Sequence, residues 1–326
     1  METDPCAIRY RQQVMQDALN QPKFIQSLYV IASEMEQEAQ AYREQMRPSY
    51  GGSVSVRSRI KASLDILEVI FSKLIDLRKL GAHYHSQLRS KGFQTLFKRV
   101  EEKYSDIFLR QATEHVNRLK RANVENRLTI DVKVGDGLKG TKAVLRERET
   151  DRSPSLLERM LKSTTVSSSE FNFSEIQESA LTNVLKILKQ FIDRMLQFFD
   201  LLRFESGFYV GSVHLHEELT KRGCDICFPE PLSIEERSLR FKRLVDPSLA
   251  IVSKRQPVGN DLRAEGTLRF VITGANQGGK TCFLRSVGLA QLMMQCGLFV
   301  PASFYEANVC DRIFTHFSEE EDQSMV

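Results

Sequence analysis

Eight residues restrict this chain more than any other stretch: Gly274-Ala275-Asn276-Gln277-Gly278-Gly279-Lys280-Thr281. They satisfy the spacing G-x-x-x-x-G-K-[ST], in which glycines let backbone N–H groups close around phosphate oxygens. The run before it, Leu268-Arg269-Phe270-Val271-Ile272, has the composition of a short buried strand. The run after it, from Phe283 to Met293, has the spacing of an amphipathic helix. Strand, glycine turn and helix in that order form the setting the pattern needs, because the helix N-terminus adds its own positive end to the anion site. A Gly-rich turn that matches by chance would lack those flanks. On this reading Lys280 reaches the outer phosphates of a nucleotide, and the Thr281 hydroxyl ligates Mg²⁺. A nucleotide such as ATP with its Mg²⁺ is therefore the expected ligand.

The rest of the chain is written mostly in helical period. Ile8, Val14 and Leu19, then Phe24, Leu28, Ile31 and Met35, mark a helix pair broken at Asn20-Gln21-Pro22. A second long helix carries Ile60, Leu64, Leu67, Ile70, Phe71 and Leu74 on one face. After a turn at Gly92, Phe93 to Leu109 predict a further helix, whose basic residues are interleaved with acids and read as a solvated surface. Leu128–Val134 alternates like a strand, Gly135-Asp136-Gly137 supplies a turn, and 141–145 could return, so a β-hairpin is expected near 128–145. A long helix opens near Ser174, and its stripe from Leu181 to Leu202 suits a rigid lever packed on other helices. Phe204 to Gly211 reads as a break, followed by a short helix through His216 to Thr220. The expected fold is mostly α with an α/β part. Residues 1–235 form a helical core or lever domain, and residues 236–326 the first portion of a phosphate-loop NTPase domain.

Bulk properties exclude a few classes. No apolar run approaches membrane-spanning length, and the N-terminus is polar and acidic, so a cytoplasmic location is expected. A formal charge of +4 does not by itself demand a polyanionic partner. Six cysteines in a chain of this length read as reduced thiols. His214-x-His216 followed by Cys224-x-x-Cys227 offers four potential zinc ligands, but H-x-H is rare in structural zinc sites and no second C-x-x-C follows, so ordinary side chains are the preferred reading. No nucleophile elbow or Ser/His/Asp order is present, and no catalytic residue is assigned.

Three blocks carry a more specific resemblance. Thr273-Gly274-x-Asn276-x-Gly278-Gly279-Lys280-Thr281-x-Phe283-Leu284-Arg285, then Gly297-x-Phe299-Val300-Pro301-Ala302, then Asp311-Arg312-Ile313-Phe314-Thr315, resemble the start of the ATPase domain of MutS-family DNA mismatch-repair proteins. The stretch Pro257-Val258-Gly259-Asn260-Asp261-Leu262 resembles the family's loop over the nucleotide base, which implies a base-binding role for Val258 and Asn260. A small-molecule kinase would not explain the second and third blocks. The resemblance implies binding of ATP and Mg²⁺, a homodimer formed through the ATPase domain, and nucleotide state passed along lever helices to a clamp on DNA, mismatched or branched. Ala275 and Gln277 depart from the family's usual Pro and Met, which points to a diverged branch. No equivalent of the family's N-terminal mismatch-reading domain is expected, since position 1 already lies in helical-core-like sequence. The family's Walker B carboxylates and histidine switch fall beyond Val326, so hydrolysis by this chain is not expected on the residues present. The alternative function is a truncated fragment acting as a helical interaction or dimerisation module with little or no turnover.

Overall fold

The computed structural model describes residues 1–47, 55–124, 128–134, 140–147, 173–253, 257–267, 269–275 and 278–316. Its helices are α1 (Pro5–Asn20), α2 (Pro22–Gln45), α3 (Val56–Tyr84), α4 (Lys91–Lys103), α5 (Asp106–Val124), α6 (Phe173–Lys221), α7 (Pro247–Val252) and α8 (Lys280–Gln295). The strands are β1 (Leu128–Val134), β2 (Gly140–Glu147), β3 (Glu230–Leu232), β4 (Ser238–Leu244), β5 (Asn260–Glu265) and β6 (Phe304–Asn308). The chain folds as two compact units, each assembled from separated stretches. One takes Met1–Gln26, His83–Lys98 and Ser206–Val326; the other takes Ser27–Ala82 and Arg99–Glu205.

The second unit is a helical assembly with a hairpin. The α3 stripe predicted from spacing is its spine: Ile60, Leu64, Leu67, Ile70, Leu74 and Leu77 are all buried. Phe71 meets Phe108 edge-on and Phe191 at a tilt, each with ring centres 6.3 Å apart. Those contacts place α5 and the first half of α6 against α3. Lys120 on α5 closes the rim by pairing with Asp65 at 2.8 Å and with Glu68, both one helix away on α3. Strand β1 pairs antiparallel with β2, Leu128 opposite Glu147 through Lys133 opposite Lys142, with a register shift at Lys133/Val134.

The first unit combines α1 with a four-stranded mixed sheet of order β3-β6-β4-β5. Strand β3 runs parallel to β6, while β4 is antiparallel to both β5 and β6. Phe241 on β4 and Tyr305 on β6 stack with their planes 9° apart, and both are almost wholly buried. Phe283 of α8 lies 6.2 Å from Phe241, which seats that helix on the sheet. On the helical side, the buried Asp17 carboxylate accepts from the backbone N–H groups of Arg89 and Ser90, fixing the turn that starts α4. Gly92 follows in the first turn of α4; a Cβ there would sit 2.5 Å from Val14 Cγ2 on α1.

Three elements differ from expectation. Helix α6 runs unbroken for 49 residues through Gly207 and Gly211. Two glycines cost a helix about 1 kcal/mol each, and burial of Leu202, Ser206, Val213 and Leu219 outweighs that. The helix expected over 93–109 is two helices, because the Ser105 hydroxyl accepts from Phe108 N–H and starts a new helix there. Residues 269–272 form no strand. Phe270 is 49% and Val271 89% exposed, and neither has a ladder partner among the described residues. Among the described residues no helix is long and apolar enough to cross a membrane.

Candidate nucleotide site

The glycine turn and helix are built as an anion site requires. Gly279 precedes α8 with φ of 81°, a left-handed conformation that a side chain would strain. The first helical bond runs from Phe283 N–H to the Gly279 carbonyl at 2.9 Å, and no side chain caps the helix start. The N-cap residue, Gly279, has no side chain with which to cap α8, and a helix N-terminus favours an anion. Inside the loop, Gly278 N–H donates to the Ala275 carbonyl at 3.1 Å, and a Cβ on Gly278 would lie 2.9 Å from that same oxygen. The Lys280 ammonium folds back over the turn, donating to the Gly274 carbonyl at 2.9 Å and the Ala275 carbonyl at 2.7 Å. An ammonium held only by neutral carbonyls gains by moving to a charged phosphate oxygen. The donor set therefore fits a polyphosphate. For Mg²⁺ the described residues of the loop offer the Thr281 hydroxyl, half-buried in the first turn of α8.

Asn276 and Gln277 lie outside the described residues. Val258, 87% exposed, and Gly259 stand just before β5, and Asn260 opens that strand opposite Leu244. The loop is tied to β4 at one point. Asp261 Oδ1 accepts from Arg243 N–H at 2.7 Å, and Gly259 approaches the Arg243 backbone so closely that a Cβ would be 2.6 Å from it. Arg243 itself sits at φ of 53°, at the register shift of β4.

Residues that hold α8 in place were not singled out by sequence reasoning. Asp246, with a side chain 2% exposed, caps α7 by accepting from Ser248 N–H at 2.9 Å and pairs with Arg285 of α8 through its other oxygen. The dipeptide Asp246-Pro247 is a helix-start signal that could have shown the cap, although not the pairing with Arg285. At the other end of α8, Gln291 donates to the Asn308 carbonyl at 2.9 Å, and the wholly buried Gln295 donates to the carbonyls of Glu2 and Cys310.

Three of the four residues weighed as zinc ligands have other surroundings, and the fourth, His214, is exposed. His216 packs edge-on against Phe299 at 4.9 Å, and burial lowers its pKa. Cys227 forms a backbone bridge with Val300, and burial pushes its thiol up to about 11. Burial also raises Cys224. Among the described residues no three His, Cys, Asp or Glu side chains gather as a metal-type group.

Comparison with known proteins covers most of the chain in two parts. Residues 3–222 match the MutS2 N-terminal domain, and residues 270–325 match MutS domain V. A stretch of 75 residues, 23% of this chain, is 43% identical to the DNA mismatch repair protein MutS of Prochlorococcus marinus (strain AS9601), covering 8% of that protein. A stretch of 88 residues, 26% of this chain, is 43% identical to the DNA mismatch repair protein MSH3 of Arabidopsis thaliana, again covering 8% of it. A third, of 53 residues and 16% of this chain, is 52% identical to MutS of Nostoc punctiforme and covers 6% of it. The chain thus matches less than a tenth of the length of these curated relatives.

Proposed function

We infer, from the premise that this chain belongs to the MutS family, that it is a nucleotide-binding, DNA-associated protein whose phosphate loop holds ATP with Mg²⁺. The observation that carries the reading is the Lys280 ammonium poised on the Gly274 and Ala275 carbonyls at the first turn of α8. Bound phosphates replace those carbonyls as acceptors, and the Thr281 hydroxyl supplies one ligand to the metal. Mg²⁺ neutralises phosphate charge when bound. Val258 and Asn260 flank the base.

DNA is the proposed macromolecular partner, because the relatives are DNA mismatch repair proteins. Exposed Arg110, Arg118 and Arg121 on α5 supply cations suited to phosphate contacts. Helix α6, continuous over 49 residues, suits the transmission of nucleotide state, and two copies facing through this domain complete the proposed assembly in the cytoplasm.

Binding of a non-hydrolysable fluorescent ATP analogue tests the reading. Lys280→Ala should weaken binding roughly ten- to hundredfold, the cost of a charged hydrogen bond lost. Equal affinity in the two proteins overturns the site. A second reading, a helical interaction module that binds nucleotide without turning it over, is favoured by the exposed residues 269–271, which have no ladder partner among the described residues. Steady-state ATP turnover abolished by Lys280→Ala rejects it.

A further inference from the structure

Asp246 does two separable things with its two carboxylate oxygens. Oδ1 accepts from Ser248 N–H at 2.9 Å and Leu249 N–H at 3.3 Å, which caps α7. Oδ2 accepts from Arg285 Nε on α8, 39 positions away in sequence. The acid is 2% and the base 29% exposed, so water screens this pair far less than a surface ion pair. Arg285 stands four residues after Thr281, and residues four apart in a helix share a face. Holding Arg285 at a fixed point therefore sets the rotation of α8 about its own axis, and with it the direction of the Thr281 hydroxyl one turn nearer the phosphate loop. The aromatic contact of Phe283 with Phe241 fixes how closely α8 approaches the sheet, but an aromatic contact tolerates small rotations that a charged hydrogen bond does not.

We propose that Asp246 is a positioning residue of the nucleotide site, acting through Arg285 to aim Thr281 at the metal. The proposal rests on the nucleotide reading above. It assigns Asp246 no contact with nucleotide or metal. Its effect is confined to the Mg²⁺-supported part of binding, because the loop N–H groups and Lys280 grip phosphate without the Thr281 hydroxyl.

The two oxygens make the test selective. Asp246→Ser keeps a good capping acceptor for α7 and removes the tether to Arg285. Arg285→Gln removes the tether from the other side and leaves the capping carboxylate in place. Affinity for the fluorescent ATP analogue is measured for each in Mg²⁺ and in EDTA. Both variants should bind about tenfold more weakly in Mg²⁺, the lower end of what groups supporting a metal ligand contribute, and as tightly as the unsubstituted chain in EDTA. Unchanged affinity in Mg²⁺ overturns the proposal. An equal loss in both conditions also overturns it, since that is the mark of a general structural role. If the unsubstituted chain binds the analogue equally well with and without Mg²⁺, the nucleotide reading stands and the aim of Thr281 is irrelevant, which overturns the proposal alone. If the unsubstituted chain binds no analogue at all, the nucleotide reading itself falls.

Discussion

Glu2 and Gln295 exchange hydrogen bonds in both directions. Glu2 N–H donates to the Gln295 carbonyl at 3.1 Å, and Gln295 Nε2 donates to the Glu2 carbonyl at 2.8 Å. The first residues of the chain are thereby laid along the last turn of the helix that begins at the phosphate loop. Gln295 also donates to the Cys310 carbonyl at 2.8 Å and accepts from Cys310 N–H at 3.1 Å, with no exposed surface of its own. One side chain joins the N-terminus, the end of α8 and the segment after β6.

Replacing Gln295 by leucine should therefore destabilise the chain well beyond the loss of one hydrogen bond. The substitution leaves two half-buried carbonyls and an N–H without the partner they have now. Each stranded buried group costs about 1–3 kcal/mol, and relaxation recovers part of it, so a loss of about 2–4 kcal/mol is expected. Urea unfolding measures it. A loss below about 1 kcal/mol would show that water or a shift of the N-terminal segment satisfies these groups equally well.

Gly92 and Val14 form a tight contact of a different kind. A methyl group at position 92 would overlap Val14 Cγ2 at 2.5 Å and press on Tyr10 Oη at 3.3 Å. Gly92→Ala gains helix propensity of about 1 kcal/mol but meets an overpacking cost of about 1–3 kcal/mol, so the net change should be destabilising. Val14→Ala removes the clashing methyl, and the double variant should recover part of the loss relative to the sum of the singles. Additive effects in that cycle would place the strain elsewhere.

Cys227 should be the slowest of the characterised thiols to alkylate. Burial holds its proton to about pH 11, against an ordinary value of 9, and at pH 8 only about one thiol in a thousand is then the reactive thiolate. The exposed Cys6 should react first with iodoacetamide, as read by peptide mass spectrometry. The sign for stability follows from the same shift. Because the folded-state pKa is raised, the fold favours the protonated thiol, and stability is retained below pH 9 and lost as pH rises from 9 towards 11. Cys227→Ala should flatten that part of the profile. Labelling of Cys227 as fast as Cys6 would mean the bridge to Val300 opens readily.

Much of the helical architecture was legible because a helix is a local structure. The stripe Ile60-Leu64-Leu67-Leu74 reports a buried face wherever the partner is, and the alternation at 128–134 lies where β1 forms. The turn before α8 was legible for a related reason, since a glycine turn feeding a helix N-terminus is specified within ten residues. Gly279 at φ of 81° and Lys280 folded onto the turn are consequences of that local pattern.

What the sequence could not carry is whatever depends on a distant partner. The apolar composition of 268–272 describes a strand, but a strand exists only by pairing, and its described residues 269–272 have no ladder neighbour. Gly207 and Gly211 look like a break, yet burial of the surrounding α6 side chains outweighs the glycine penalty. Asp246 and Arg285 lie 39 positions apart, and only folding buries the carboxylate, half-buries the guanidinium and brings one to the other. By itself, then, the sequence determined where the chain turns helical and where a glycine turn feeds α8. Only the tertiary structure decided how that helix is held, because long-range pairing, burial and charge depend on which surfaces the fold brings together.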